Sequence, residues 1–295
     1  MNNILKSIRT VLIKVIKFLF MGRWYICVKK VNPSCPHKNV KFKIITSPKN
    51  RFYADPFIIK KNTINYIFYE DYRYEKEKGV ISCISIDESG SFNQYPAIVE
   101  RDYHLSYPFV FELNNQIYMI PETSGNKTIE MYKAIDFPEQ WVLEKVLLKN
   151  INAVDATMIK HNHLYWLFAG VAEDGKDFNT NLHLYYATSP FGPWKPHPSN
   201  PVVSDSRRAR PAGQLFYEEN MLMRPGQDCS LFYGRAVWIN RIETLNETEY
   251  REIPARKIKP SVLSGNIGIH TINCNEDYVV IDCKAITCNR CHFKK

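Results

Sequence analysis

The chain has 295 residues, which is enough for one large domain or two small ones. Its aromatic content of 13% favours β-structure, and its net charge is +9 at pH 7. The charge is local, because residues 1–54 hold twelve Lys and Arg and no acidic residue, whereas the rest holds 27 basic and 30 acidic residues. This distribution argues against a basic groove across the body of the protein, and no nucleic-acid partner is predicted.

The first predicted element is an amphipathic helix over residues 1–21. Its longest unbroken apolar run is four residues, which is too short to cross a bilayer. On a helical wheel most apolar side chains fall on one arc, and the opposite arc carries Lys6, Arg9, Lys14 and Lys17. Such helices lie in the interface of an anionic membrane, so residues 3–21 predict peripheral attachment at the cytoplasmic face. The alternatives are a helix packed on the domain itself and a signal anchor.

The body of the chain repeats one phrase. Four stretches align without gaps over residues 55–70, 107–122, 155–170 and 211–226, and a looser fifth copy covers 268–283. The successive starts are 52, 48, 56 and 57 residues apart. A period near 50 is typical of propellers and repeat arrays.

Each repeat reads as two β-hairpins. A short apolar strand, a polar turn such as Asn114-Asn115 and a second apolar strand make the first hairpin. A further pair of strands follows, as in GVISCISI (79–86), KTIEMYKAI (127–135), NLHLYYAT (181–188) and SLFYGRAVWI (230–239). Four strands make one propeller blade, and GRWYICV (22–28) is placed to complete the last blade. A β-sandwich also alternates short strands and turns, but it does not usually keep this period.

The sequence therefore predicts an all-β chain: a five-bladed β-propeller over residues 22–285 with the N-terminal helix before it. Residues 286–295 are predicted to be a tail. The eight cysteines are interpreted mainly as free cytosolic thiols, because the chain is long and no cleavable signal peptide is recognised. Cys288 and Cys291 precede His292, but a second ligand pair at zinc-site spacing is missing. No metal and no cofactor is predicted.

The propeller prediction brings distant residues together. The first strand of each blade lines the axis, so residues at the heads of those strands gather around one central funnel. Four successive strands begin at Asp55, Tyr107, Asp155 and Arg210, and His270 stands near the head of the fifth. A proline after Asp55 suits an innermost strand, where no neighbour needs the missing N–H.

These phrases also carry a resemblance. The chain resembles the five-bladed propellers of family-43 glycoside hydrolases and, more closely, the N-terminal region of plant glucosamine inositolphosphorylceramide transferases and their bacterial relatives. The matching phrases cover roughly residues 22–285 and are YADPF (53–57), SYPFVFE (106–112), YMIPET (118–123), DATMI (155–159), FGPWKPHPSNPVV (191–203), ARPAGQ (209–214), RPGQDCSLFYG (224–234) and GIHTI (268–272).

The resemblance to the hydrolases implies catalytic roles. There, a blade-one Asp acts as general base, a blade-three Asp tunes the acid and orients substrate, and a blade-four Glu is the general acid. Asp55 matches the first position and Asp155 the second, but the blade-four region reads RRARPAG and has no Glu. Arginine cannot donate a proton at neutral pH, so ordinary hydrolase chemistry would need a displaced acid such as Glu122.

The remaining candidates are assigned to substrate binding. Arginine suits bidentate recognition of phosphate, and the neighbouring carboxylates and amides suit sugar hydroxyls. The set comprises Glu70, Tyr107, Arg208, Arg210, Gln214, Arg224, Gln227, Asp228 and His270. Each also has a structural reading: for example, Glu70 and Glu122 end their second strands and could pair with an arginine there, and Asp228 could hold a loop.

Three functions follow as hypotheses. The first is a carbohydrate-active enzyme of cell-surface polysaccharide or glycolipid biosynthesis, which transfers or modifies a sugar on a sugar-phosphate or lipid-linked substrate. The second is a glycoside hydrolase of the five-bladed class. The third is a glycan-binding module without activity, because the plant proteins carry their transferase domain as a separate C-terminal unit.

Overall fold

The predicted architecture is confirmed. The computed structural model describes residues 20–31, 41–173, 177–260 and 265–288. Within them, strands form five separate antiparallel sheets of four or five strands each. Each sheet corresponds to one sequence repeat, so the chain is a five-bladed β-propeller.

The strands follow the repeats in chain order, with a single 3-10 turn at Ser124–Asn126 among the described residues. They are β1 (Phe20–Lys30), β2 (Lys43–Ile45), β3 (Arg51–Lys61), β4 (Ile64–Arg73), β5 (Lys78–Ile86), β6 (Phe92–Val99), β7 (Ser106–Leu113), β8 (Gln116–Glu122), β9 (Thr128–Asp136), β10 (Gln140–Lys149), β11 (Ala153–His161), β12 (Leu164–Val171), β13 (Asn181–Ala187), β14 (Lys195–Pro196), β15 (Val203–Ser204), β16 (Phe216–Glu218), β17 (Met221–Asp228), β18 (Ala236–Leu245), β19 (Tyr250–Ile258), β20 (Asn266–Gly268), β21 (Ile272–Cys274) and β22 (Tyr278–Cys288).

Four blades are built from consecutive strands. Blade I is β3–β6, blade II is β7–β10, blade III is β11–β15 and blade IV is β16–β19. The innermost hairpins turn where the sequence predicted, at Asn62, Asn114-Asn115, Asn162 and Glu219-Asn220. Each of these residues has a positive φ. Asparagine tolerates this left-handed conformation better than most residues, so these positions set the register of the hairpins.

Blade V closes the ring from both ends of the described chain. Its inner strands β20, β21 and β22 come last in sequence, and its outer strands β1 and β2 come first. Strand β1 pairs with β22 along its whole length, from Phe20 opposite Cys288 to Lys30 opposite Tyr278. The prediction that residues 22–28 complete the last blade is confirmed.

The core lies between adjacent blades rather than inside one sheet. Phe57 of blade I packs edge-on against Tyr107 of blade II, with ring centroids 4.7 Å apart, and also against Phe109. All three side chains are almost completely buried. Face-to-face packing of twisted sheets therefore holds the ring together through apolar contact.

Two strand predictions in blade IV were wrong. The predicted strand 230–239 begins only at Ala236, and residues 229–235 form a loop in which Gly234 has φ +70°. A Cβ on Gly234 would lie 2.6 Å from the Trp24 ring, so the loop packs too closely for a larger residue. The innermost strand, expected from Pro211, is reduced to β16, and Pro211 makes one isolated bridge with Gly226.

The ends of the chain differ from the predicted boundaries. Phe20 and Met21, assigned to the helix, are the first residues of β1, and β22 continues to Cys288, inside the predicted tail. Both extensions arise because the two strands pair there. The rest of the predicted amphipathic helix and the Cys291-His292 pair lie outside the described residues. The structure contains no helix long and apolar enough to span a membrane within its described ranges. The cysteines with described side chains are free thiols.

If the β1–β22 ladder closes the ring, the loss of a buried side chain from β1 should destabilise the whole domain. Ile26 is fully buried in the blade V core. We expect Ile26→Ala to lower the free energy of unfolding by about 2–5 kcal/mol, measured by urea titration. Ile135→Ala is the matched control, since that side chain is 60% exposed, and it should change stability by less than about 1 kcal/mol. Equal losses would contradict the role of β1.

Candidate functional site

Three innermost strands share an irregularity at their heads. One extra residue is inserted between Ala54 and Phe57 in β3, and the same bulge recurs in β7 and β11. The inserted turn gives positive φ to three non-glycine residues, namely Asp55 (50°), Tyr107 (45°) and Asp155 (55°). A bulge of this kind changes the direction in which a side chain points. A positive φ at such a residue is strained, so it persists only where contacts with neighbouring residues stabilise it.

Contacts show that the re-aimed residues of different blades meet. The Tyr107 backbone N–H donates to Asp55 Oδ2 at 3.2 Å. The Tyr107 hydroxyl accepts from the Gly213 N–H at 2.7 Å and lies 2.9 Å from the Thr157 hydroxyl. Tyr107, in blade II, therefore connects blades I, III and IV around one centre.

Asp55 belongs to a buried ionic triad with blade V. His270 Nε2 lies 3.1 Å from Asp55 Oδ1, and His270 Nδ1 lies 2.7 Å from Asp282 Oδ2. The Thr271 hydroxyl donates to Asp55 Oδ1 at 2.7 Å. Asp282 also accepts the backbone N–H groups of Asp55, His270 and Thr271 at 2.9–3.1 Å.

The triad fixes the protonation state of its members. Burial alone would raise the pKa of Asp55, but the charge and hydrogen bonds of His270, with help from Thr271, hold that pKa below its usual range. Burial would lower the pKa of His270, yet the two carboxylates raise it to about 10. At neutral pH Asp55 is therefore an anion and His270 a cation.

A second ion pair lies across the centre. Arg210 Nε donates to Asp155 Oδ2 at 2.6 Å, and Gln227 Nε2 donates to the same oxygen at 3.1 Å. Burial raises the pKa of Asp155 to about 6, although Arg210 opposes the shift. The Arg210 guanidinium lies over the Tyr233 ring, 4.9 Å from its centroid.

Two glutamates stand opposite the bulges of blades I and II. Glu70 pairs with Ala54 and Glu122 with Ser106 in the strand register. His104 lies between them, with Nε2 3.4 Å from Glu70 Oε1 and 3.9 Å from Glu122 Oε2. Its Nδ1 accepts the Gly79 N–H at 2.9 Å, so the proton of the neutral ring is on Nε2.

The glutamates differ from Asp55 in protonation. Burial raises the pKa of Glu70 well above its usual value, and the neighbouring Asp55 anion raises it further. Burial likewise raises the pKa of Glu122. Burial lowers the pKa of His104, which favours the neutral ring. The site thus combines one carboxyl group whose pKa is held low with neighbouring carboxyl groups whose pKa values are raised.

Blades III and IV have glycine at the position of these glutamates. Gly170 pairs with Val154, and Gly226 forms the bridge with Pro211. A Cβ on Gly170 would lie 2.9 Å from the Phe178 carbonyl, and one on Gly226 would lie 2.3 Å from the Arg208 carbonyl. Close backbone approach therefore excludes a glutamate at these two positions of blades III and IV.

The structure brings eight of the twelve predicted site residues together, and we call the region that they enclose the central funnel. They are Asp55, Glu70, Tyr107, Glu122, Asp155, Arg210, Gln227 and His270. Seven of the eight are less than 7% exposed, and the funnel is therefore a mainly buried polar cluster.

Arg224, predicted to bind substrate, is held in a buried ion pair outside the central funnel. It is 1% exposed and forms a two-bond ion pair with Glu252, with both N–O distances 2.7 Å. Nη2, one of the two nitrogens that bind Glu252, also donates to the Arg208 carbonyl. These bonds use the guanidinium inside blade IV, away from the funnel.

Three further residues predicted to bind substrate also have their side chains outside the central funnel. The Arg208 side chain faces Asp205, with 3.4 Å between Nε and Oδ2. Asp228 pairs with Lys257 and Arg235 and caps Ser230. The Gln214 side chain is exposed in a groove between blades IV and V.

Four residues of the site were missed by the sequence analysis: Trp24, His104, Tyr233 and Asp282. Trp24 stacks against His270 with centroids 4.1 Å apart, and Tyr233 meets the same ring edge-on at 5.1 Å. Tyr233 lies inside the phrase RPGQDCSLFYG, and His104 lies just before SYPFVFE, so their position beside repeated phrases was an available signal. Asp282 had none, because it lies within β22 at a repeat position where the other four copies carry no acidic residue.

Asp55, His270 and Asp282 are also the residue types that bind metals, and their ligand atoms lie within 4.8 Å of one another. A metal-bound histidine must present a neutral nitrogen. Here both ring nitrogens face carboxylates, and the pKa of His270 is raised to about 10. The geometry fits an ion-pair triad better than a ligand set.

Comparison with known proteins finds a matching family and relatives of known name. Residues 30–269 match the family model described as glucosamine inositolphosphorylceramide transferase 1, N-terminal. The protein of that name from rice, Oryza sativa subsp. japonica, is 38% identical over 211 residues. The match covers 70% of this chain but only 28% of the rice protein, so the chain spans less than a third of that relative.

Solved structures share the fold at low sequence identity. A family 117 glycoside hydrolase from the marine bacterium Zobellia galactanivorans has a TM-score of 0.56 at 13% identity, covering 90% of this chain and 91% of the other. The catalytic domain of a family 62 α-L-arabinofuranosidase from Coprinopsis cinerea also gives 0.56, at 14% identity, with 90% and 98% covered. These likenesses show the fold alone.

The His270 triad makes stability depend on pH. The pKa of His270 in the folded chain, about 10, lies above its usual value, so the charged ring stabilises fully below about pH 6.5. That contribution is lost as the pH rises towards 10. We expect the free energy of unfolding to be larger for wild type than for His270→Gln. The pH-dependent part of this difference should be on the order of 4 kcal/mol near pH 6. Urea titrations at several pH values measure this part, and a difference that does not shrink towards alkaline pH would contradict the triad.

Arg224 should matter for stability. Arg224→Met leaves Glu252 buried without its partner, and we expect a loss of about 3–5 kcal/mol in urea unfolding. The double variant with Glu252→Gln should recover part of it. Arg251→Met is the control, because its pair with Glu243 is exposed and should contribute less than about 1 kcal/mol. A loss no larger than the control's would show that Arg224 is free for another role.

Proposed function

The chain belongs to the family defined by the N-terminal region of glucosamine inositolphosphorylceramide transferase 1, and we propose that it is a carbohydrate-active enzyme that transfers a glycosyl group. The acceptor or donor is part of a cell-surface polysaccharide or a glycolipid. The family match supports the reaction class, and the funnel supports the chemistry.

One observation carries the proposal: carboxyl groups with opposite protonation states share one buried site. Asp55 is ionised because His270 and Thr271 stabilise its charge, whereas burial keeps Glu70 protonated beside it. Carboxyl groups in two states are what acid–base chemistry at a glycosidic bond requires.

Each group has a role in transfer. Asp55 accepts the proton of the attacking hydroxyl as the new C–O bond forms at the sugar. Glu70 gives its proton to the oxygen of the leaving group as the old C–O bond breaks, so the proton count balances. His104, whose Nε2–H lies 3.4 Å from Glu70, keeps that side chain in place.

Arg210 suits a phosphorylated donor. Its Nε binds Asp155 and its Nη1 donates to Asn179 at 3.3 Å. Nη2 makes no hydrogen bond to the described residues and can donate to a phosphate oxygen of a sugar phosphate or lipid-linked sugar. Tyr233, which lies beside the guanidinium and is 37% exposed, offers aromatic surface for a sugar ring.

The proposed site of action is the cytoplasmic face of a membrane. The motivation is the basic amphipathic sequence over residues 3–21, which suits anionic lipid. A peripheral position would bring the funnel within reach of a lipid-linked sugar.

Hydrolysis is the second candidate function. It is favoured by the raised pKa values of Glu70 and Glu122, because a raised pKa suits a carboxyl group that replaces the missing blade-four acid. Water would then take the place of the acceptor hydroxyl at Asp55. The same residues serve both reactions, and only the acceptor differs.

The test is turnover by the full chain with nucleotide sugars, lipid-linked sugars and aryl glycosides. We expect a glycosylated product, and we expect Asp55→Asn and Glu70→Gln each to lower its rate by about 100-fold or more, because each loses a proton-transfer group. The rate should fall as the pH rises through the elevated pKa of Glu70, and Glu70→Gln should remove this fall.

Gln214→Ala is the matched control, since that side chain lies outside the funnel. It should leave turnover unchanged. Release of free sugar from aryl glycosides without a transfer product would establish the hydrolase instead. Sugar binding without turnover in wild type would leave a glycan-binding module and reject both enzymes.

A further inference from the structure

The end of the propeller at which β3, β7 and β11 begin, here called the funnel end, carries an apolar patch. Ten large apolar side chains of the described residues are exposed, and four of them are Leu231, Phe232, Tyr233 and Ile267. Leu231 is 74% exposed and Phe232 46%. We call these four residues the rim patch. Three of them are consecutive in one loop, which is more clustered than scattered surface residues need to be.

The rim patch borders the site. The Tyr233 ring lies 6.3 Å from Trp24, 5.1 Å from His270 and 4.9 Å from the Arg210 guanidinium, measured to the ring centroid. The loop is fixed in place because the Ile269 N–H donates to the Gly234 carbonyl at 2.8 Å. Whatever covers the patch therefore lies next to the mouth of the funnel.

Basic side chains surround the patch. Phe232 and Ile267 line a groove of about 390 Å³ together with Arg235, Lys257, Lys259 and Pro260. Arg235 and Lys257 share one carboxylate, that of the buried Asp228. Lys259 is exposed and forms no ion pair within the described ranges. The groove therefore has a positive surplus beside its apolar side chains.

The basic N-terminal sequence joins the propeller at the same end. Strand β1 begins at Phe20 opposite Cys288, and four residues later Trp24 packs against His270 in the funnel. Residues 3–19 precede this point, and they carry four basic and no acidic side chains. Strand β1 therefore enters the propeller at the funnel end, where Trp24 lies 6.3 Å from Tyr233 of the rim patch.

From these placements we infer that the funnel end docks on an anionic lipid bilayer through the rim patch and its basic border. Leu231 and Phe232 enter the interface, and the lysines and arginine face the lipid phosphates. The funnel then opens towards the headgroups. This inference does not depend on the reaction proposed above, since docking is a property of the surface and can be measured without substrate.

A bilayer fits better than a second copy of the chain. A second copy would bring the same positive groups of both partners together, which opposes association. An anionic bilayer combines an apolar layer with negative charge, and the patch has the complementary pair of properties.

The test is co-sedimentation of the full chain with vesicles of phosphatidylcholine containing about 30% phosphatidylserine. We expect Leu231→Ser with Phe232→Ser to weaken partitioning by about tenfold or more, because two apolar side chains no longer leave water. The matched control combines Ile135→Ser with Leu143→Ser, two exposed apolar residues of blade II, and should bind as wild type does. Neutral vesicles should bind wild type more weakly.

Hydrogen exchange on wild type keeps the inference testable if the rim variant does not fold. We expect vesicles to protect amides of residues 229–235 and 265–270 and not those of 137–140. Protection confined to residues before Phe20 would overturn the inference. So would a rim variant that binds vesicles as wild type does, or a rim variant whose only change is the loss of a dimer in light scattering.

Discussion

One extra residue in each of three innermost strands controls the site. The bulges give Asp55, Tyr107 and Asp155 positive φ, at a cost on the order of 1–3 kcal/mol each. Carboxylates of neighbouring blades hold two of these bulges: Asp282 accepts the Asp55 N–H, and Asp55 accepts the Tyr107 N–H. The backbone of one blade is therefore held by a side chain of the blade before it, and geometry passes from blade to blade through buried charge.

The same arrangement sets the electrostatics of the funnel. Four carboxyl groups, on Asp55, Glu70, Glu122 and Asp155, share a low-dielectric space with the cations of Arg210 and His270. Arg210 pairs with Asp155, and His270 lies between Asp55 and Asp282, whereas burial raises the pKa of Glu70 and of Glu122. The carboxyl groups that pair with cations lie at the heads of first strands, and the two glutamates with raised pKa values lie at the ends of second strands.

Much of this was readable from the sequence, because the repeats fix position as well as fold. A period near 50 predicted the blades, and the heads of the first strands predicted which residues meet. Side-chain partners were not readable. On β17, Gln227 reaches Asp155, and residues an odd number of positions away face the other side. Arg224 and Asp228 lie on that other side, where they pair with Glu252 and Lys257 of β19. The repeated phrases did not specify the register of β19, so these partners could not be predicted. His104 and Tyr233 lie in loops within or beside the matching phrases, but the phrases do not specify which side chains those loops contact.

The closing ladder of blade V has a consequence for larger architectures. Phe20 and Cys288 face each other across neighbouring strands, so their backbones are separated by about 5 Å. A polypeptide joined to either terminus of the ring would start from almost the same spot, within reach of Trp24. A module tethered at either terminus would have a high effective concentration at the funnel. A partner domain could therefore precede or follow the propeller in the polypeptide and still reach the funnel.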